Sequence, residues 1–135
     1  MKILVDTNIV LDFLLEREPF FQSAERLFQA INDEQIAEYV TATTITNIFY
    51  IARRNTRSIE QARQAVSETL TVMIICPVNR AILESAFTSS LNDFEDAVQM
   101  ACAVDQRLDA IVTRDRRDFL KSPISVLSIA DLFRR

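Results

Sequence analysis

Lys2-Ile3-Leu4-Val5-Asp6-Thr7-Asn8 decides the fold: a short apolar run that stops abruptly on a carboxylate. Branched side chains at Ile3 and Val5 favour a strand, and so continuous an apolar run implies cover on both faces. A strand that buried does not lead straight into an acid unless the acid caps a helix or binds something. Asp6, Thr7 and Asn8 are all good N-cap types, so capping accounts for this spot as well as function does. The pattern then returns. Ala110-Ile111-Val112 is another apolar run, and it leads into Thr113-Arg114-Asp115-Arg116-Arg117-Asp118-Phe119.

Outward from the first strand, Val10, Phe13 and Leu14 place a helix. Pro19 opens another, with Phe20, Ala24, Leu27, Phe28 and Ile31 at helical spacing. Glu38–Thr41 reads as a strand, followed by helices through Ile45, Ile48, Phe49 and Ala52 and over Ile59–Leu70. Thr71–Cys76 reads as a buried strand stopped by Pro77. Helices are expected over Arg80–Ser89 and Asp93–Gln106. Strands at Ala110–Thr113 and Ile124–Leu127 precede a closing helix, Ser128–Arg135. Strands alternating with helices predict an α/β domain, a three-layer sandwich around a mostly parallel sheet. No repeat or linker interrupts residues 1–135, which implies one domain. Ligand sites in such sheets lie beyond the carboxyl ends of strands, where Asp6 and Asp115 stand.

Composition narrows the chemistry. With 49% hydrophobic and 25% charged residues in a 135-residue chain, a packed domain is expected. No apolar stretch approaches the roughly 20 residues of a membrane span, and Asp6 breaks the run a signal peptide would need. A cytoplasmic protein with no membrane partner is the expectation. There is no histidine, which excludes His-based triads and the usual zinc sites, and no glycine, which excludes phosphate-cradling Gly-rich loops. Cys76 and Cys102 sit among apolar neighbours and read as buried, inert thiols. The net charge of −4 argues against a nucleic-acid partner, but clustered carboxylates lower that sum by themselves. Apart from Lys2 and Lys121 every cation is an arginine, whose planar fork suits phosphate oxygens as well as ordinary solvation.

A third acidic cluster, Asn92-Asp93-Phe94-Glu95-Asp96, opens the apolar helix that carries Ala97, Val98, Met100 and Ala101. Asn92 and Glu95 have capping-box spacing, and the helix dipole favours acids there. Capping explains one or two acids, not three in four residues. Asp96, beside the apolar face, is the strongest functional candidate of the cluster. In the loop after the later strand, Asp115 and Asp118 could each merely offset neighbouring arginines. If the strands are adjacent, however, Asp6, Asp96 and Asp115 converge. Two carboxylates 5 Å apart repel by roughly 3 kcal/mol at an effective dielectric near 20. A compensating cation then follows, and with no histidine or spare lysine nearby a hard, oxygen-binding Mg²⁺ or Mn²⁺ is the natural one. Such an ion activates water and polarises a phosphoryl group.

These motifs together resemble the PIN domain family over the full length of the chain. The likeness rests on Leu4-Val5-Asp6-Thr7-Asn8, on Asp96-Ala97-Val98-Gln99-Met100-Ala101, and on Thr113-Arg114-Asp115 with Asp118-Phe119. The resemblance implies a metal-dependent ribonuclease acting on RNA, often the toxin of a toxin–antitoxin pair and often a homodimer. Asp6, Asp96 and Asp115 match the family's metal-binding acids. Asp93 would add an outer ligand, while Thr7, Asn8 and Thr113 would hold the carboxylates by hydrogen bonds. One departure stands out. Where many members carry a glutamate, this chain has Asn47, and one negative charge is missing.

Two phosphotransfer folds with acidic pockets fit less well. The haloacid-dehalogenase kind needs an aspartate where Asn8 stands, and the response-regulator kind needs paired acids and a lysine closely following a strand. A second reading stays open, that of a non-catalytic PIN-like module for RNA or a partner protein. Asn47 supports it. Arg53, Arg54 and Arg57 near one helix end, with Arg114, Arg116 and Arg117 near the pocket, would serve either binding or cleavage.

Overall fold

The computed structural model describes residues 1–134. Strand β1 (Lys2–Val5) runs into helices α1 (Thr7–Leu14) and α2 (Phe21–Asn32), and β2 (Ala37–Thr41) into α3 (Ala42–Thr56) and α4 (Ile59–Val72). After β3 (Ile74–Cys76) come α5 (Arg80–Phe87) and α6 (Phe94–Asp105), then β4 (Ala110–Val112). A 3-10 turn, Arg116–Phe119, then leads to β5 (Ser125–Leu127) and α7 (Ile129–Phe133). All neighbouring strands pair in parallel, in the order β3-β2-β1-β4-β5. The sheet is wholly rather than mostly parallel.

Alternation along β1 shows how the layers form. Ile3 and Val5 join the core built with α1, α2, α3, α4 and α7, whereas Leu4 joins the opposite core with α5 and α6. Successive side chains of a strand point to opposite faces, so a strand covered on both sides must be apolar throughout. This is the predicted three-layer α/β/α sandwich. Because the chain steps outward from β1 to β3 and then crosses back to β4, β1 and β4 lie side by side at the point where the strand order reverses. Val5 pairs with Val112, and the Asp6 amide donates to the Val112 carbonyl at 3.0 Å. Asp6 and Thr113 thereby leave the sheet together at the crevice where such folds bind ligands.

Several boundaries differ from the sequence expectation. Thr71 and Val72 belong to α4 rather than to β3. The Thr71 hydroxyl donates to the Ser67 carbonyl at 2.8 Å, and Thr69 does the same to Ala65 at 2.9 Å. Those bonds settle β-branched hydroxyls within a helix. Helix α2 starts at Phe21, which leaves Pro19 and Phe20 in a turn outside the core. The closing helix is shorter than expected, and Arg135 lies outside the described residues. With no glycine available, Glu16, Glu34, Arg57 and Arg107 take the left-handed turns, each at a cost of about 1 kcal/mol. Among the described residues no helix is long and apolar enough to cross a membrane.

Both thiols are buried, as expected. Burial above all pushes Cys76 up to about 11 and Cys102 up to about 12, which keeps them protonated and unreactive near neutrality.

Candidate functional site

Asp6 is the N-cap residue of α1 by position, but its side chain makes no capping bond. Instead its carboxylate turns into the crevice and is only 7% exposed. One oxygen accepts from Gln99 Nε2 at 3.1 Å and the other from the Thr113 hydroxyl at 2.8 Å. A cap would have spent those lone pairs on α1; here they serve two other segments of the chain.

Helix α6 brings the second group. Asp93, not Asn92, caps it, accepting from the Asp96 amide at 2.9 Å. The capping box expected of Asn92 and Glu95 does not form, because the Glu95 carboxylate accepts instead from the Thr7 hydroxyl at 2.9 Å. Thr7 in turn meets the Thr44 hydroxyl at 2.8 Å, tying α1, α3 and α6 together beneath the site. Asp96 stands half-buried one turn before Gln99, whose Nε2 lies 3.1 Å from Asp6 and 3.5 Å from Asp96. Burial, then Asp93, Asp6, Asp118 and Glu95 as negative neighbours, raises Asp96 to about 7. At neutral pH this carboxyl is therefore poised between its two protonation states.

The loop after β4 divides its acids. Asp115 initiates the 3-10 turn, its Oδ1 accepting from the Arg117 amide at 3.1 Å and from Arg117 Nε at 3.2 Å. Those bonds hold its carboxyl below the usual range and turn it towards a neighbouring cleft. Asp118 lines one pocket with Asp93 and Asp96, and desolvation followed by Asp115, Asp6 and Asp93 raises its carboxyl. The structure thus sets Asp93, Asp96 and Asp118 along one pocket, with Asp6 as their charged neighbour and Asp115 in the adjoining cleft.

The remaining sequence candidates divide as well. Thr7 and Thr113 hold acids, as noted. Asn8 is exposed, its Oδ1 accepting weakly from Arg17 at 3.4 Å. Asn47 is half-buried on α3, one turn beyond Thr44. Arg53 and Arg54 occupy the last turn of α3, where cations suit the helix dipole, roughly 18 Å along the axis from the end near Thr44. Arg114 reaches back to Asp12, whereas Arg116 and Arg117 form exposed pairs with Asp131 and Asp115. Sequence reasoning missed Gln99, Glu95 and Asp12. The only signal for Gln99 was a lone amide on an otherwise apolar helix face, three residues after Asp96.

The donors here are carboxylate and amide oxygens, a set that fits a hard divalent cation better than a soft one. Gln99 Oε1 is buried beside these acids with no hydrogen-bond partner among the described residues, which adds a neutral oxygen to the set. Among the described residues, however, no three acids stand close enough to hold one ion as they are placed. Uncompensated carboxylates relieve their repulsion by keeping apart.

A wholly parallel sheet whose switch point gathers acids from three separate chain segments defines an α/β domain with an acidic crevice site. The PIN domain profile matches residues 2–117. This chain belongs to the PIN domain family. In fold it is similar to VapBC-1 from nontypeable Haemophilus influenzae, with a TM-score of 0.71 and 16% identity over 96% of this chain and 99% of that one. It is also similar to Mycobacterium tuberculosis VapC20, a sarcin–ricin loop cleaving toxin, at TM-score 0.68 and 17% identity over 81% and 86% of the two chains. A third similar structure is VapBC2 from Rickettsia felis, bound to a DNA fragment from their promoter (TM-score 0.67, 14% identity, 95% and 98% covered). The curated proteins contain no match.

Proposed function

We propose that this chain, acting as one domain over residues 1–135 in the cytoplasm, is a divalent-metal-dependent endoribonuclease. The observation that carries the reading is the crevice at the switch point, where acids following β1, opening α6 and following β4 stand as neighbours. Burial first and those acids second raise Asp96 there to about 7. Folding that concentrates negative charge in a crevice is costly without a cation, and PIN nucleases generally use one. Asp6 and Asp96 would hold Mg²⁺ or Mn²⁺, with Asp93 and Asp118 on the same wall. Asp115 would join them by exchanging its exposed Arg117 pair for the ion. When bound, the ion supplies an activated water and stabilises the oxygen that leaves the phosphodiester.

The chain's own residues do the rest. Thr113 and Gln99 fix the Asp6 carboxylate, and Asp93 orders the first turn of α6 so that Asp96 faces the crevice. Arg116 and Arg117 carry exposed positive charge beside the site and would meet the phosphates of single-stranded RNA. The VapBC complexes among the similar folds support a protein antitoxin as a further partner and a toxin role. We place a homodimer in the same proposal.

Asn47 favours a second reading, a PIN-like module that binds RNA or protein without cutting it, since an amide supplies no charge to an ion. One assay separates the two. Purified protein is expected to cut single-stranded RNA with Mg²⁺ or Mn²⁺ and to stop on addition of EDTA. Millimolar ion is also expected to raise the melting temperature by mass action on the folded state, and Asp96→Asn to remove most of that rise. RNA binding and a metal-induced rise without cleavage would select the binding module. Cleavage undiminished by EDTA would rule out the metal mechanism.

A further inference from the structure

We propose that the cleft beside the carboxylate pocket is a stacking subsite for one base of single-stranded RNA, with Phe20 and Arg114 as its platform. The inference rests on the ribonuclease reading above and adds to it where a substrate base would lie. Phe20 stands in the turn before α2, 38% exposed although helical spacing groups it with the apolar positions of that helix. Its ring carries the Arg114 guanidinium 3.8 Å from the centroid. Arg114 is not a free surface arginine. It bonds Asp12 at 2.7 and 3.4 Å, and Asp12 is 1% exposed and also pairs with Arg17 at 2.8 Å. A buried carboxylate between two arginines holds the guanidinium carbon over the ring.

Ring and guanidinium both line a cleft of about 880 Å³, within the roughly 300–1,000 Å³ of small-ligand sites. Its other walls join charge to exposed apolar surface: Arg116 and Arg117 with the Asp115 carboxylate, and Leu120, 79% exposed. Arg117 and Leu120 also line the carboxylate pocket, so the two cavities share a wall. A strand that sets one phosphate at the acids would pass Arg117 and bring an adjacent base to the platform. The pairs of Arg116 with Asp131 and Arg117 with Asp115 are exposed, and such pairs are weak enough to yield to phosphate. Single-stranded RNA presents unstacked bases, which proteins take on aromatic rings and guanidinium planes. A stack of ring and guanidinium, fixed from beneath and flanked by arginines, suits a base with its phosphates better than it suits a peptide.

The test measures binding in EDTA, so that it does not depend on cleavage. The probe is a mixed-sequence single-stranded RNA of about ten nucleotides, a length within the range such grooves accommodate, carrying 2-aminopurine at each position in turn. At one position the fluorescence is expected to be quenched on binding. Phe20→Ala is expected to abolish that quench and weaken binding about tenfold, while Phe20→Trp restores both. An RNA lacking the base at that position is expected to lose the same factor on wild type and nothing more on Phe20→Ala. Unchanged affinity and quench in Phe20→Ala overturn the subsite, as does an abasic RNA that binds wild type as tightly as the intact strand. Metal-dependent cleavage indifferent to Phe20→Ala overturns the subsite alone and leaves the nuclease standing. Stacking at Phe20 without cleavage in any metal does the reverse. A wild type that binds no RNA either in EDTA or with millimolar Mg²⁺ or Mn²⁺ overturns both.

Discussion

Asp6→Asn is expected to slow metal-dependent RNA cleavage by at least about 10³-fold, while the metal-free protein melts no lower than wild type. The activity half follows from position. Asp6 leaves β1 at the switch point, is nearly buried, and spends neither oxygen on capping α1. An amide in its place keeps the shape but removes the charge that would hold the ion. The stability half follows from the hydrogen bonds. Thr113 can still donate to the remaining oxygen. Gln99 can turn its amide to offer Oε1, which has no partner in the wild type, to the new NH₂ group. Removing one negative neighbour also eases the charge on Asp96, and that relief offsets whatever the exchange of bonds costs. Activity assays with melting curves in EDTA check both halves. Retained cleavage would take Asp6 out of the site, and a large drop in melting temperature would make its role structural.

The layer architecture was legible because β1 and β4 are buried on both faces and therefore apolar without a break. The acids that follow them were legible because such a run ends in a carboxylate only for a reason. Side-chain direction within the loop after β4 was not. Asp115 and Asp118 lie three residues apart among three arginines, and only the 3-10 turn decides that Asp115 faces Arg117 while Asp118 faces Asp93 and Asp96. Helical spacing also set Phe20 among the apolar positions of the helix opened by Pro19, since spacing cannot reveal that the helix begins only at Phe21. Arg114 looked free for phosphate because its partner, Asp12, is 102 residues away in sequence. Gln99 is the clearest omission. A buried amide has to answer to polar neighbours, and one turn before it stood Asp96.

A buried acid remote from the crevice yields the second large effect: Glu38→Met is expected to raise the melting temperature on the order of 5–10 °C at pH 8. Glu38 lies in β2 beside Ile3 of β1, on the same side of its strand as Val40, and is 1% exposed. Among the described residues neither carboxylate oxygen has a hydrogen-bond partner. Leaving such a group unsatisfied costs about 1–3 kcal/mol, and methionine fills similar volume with no polar atom. For a chain of this size each kcal/mol is worth roughly 3–5 °C. Desolvation by burial raises Glu38 from 4.5 to about 8, which fixes the sign of the pH dependence. Between those values the folded state holds a proton that the unfolded state has released, so this group's contribution to stability falls as pH rises from about 4.5 to about 8. The gain from Glu38→Met is therefore expected to be smaller at pH 5, where only the unpaired neutral carboxyl costs stability, and to grow towards pH 8. Melting curves at both values decide it. A gain independent of pH would mean that Glu38 is ionised or paired throughout, and a loss would mean that the carboxyl meets a partner within the core.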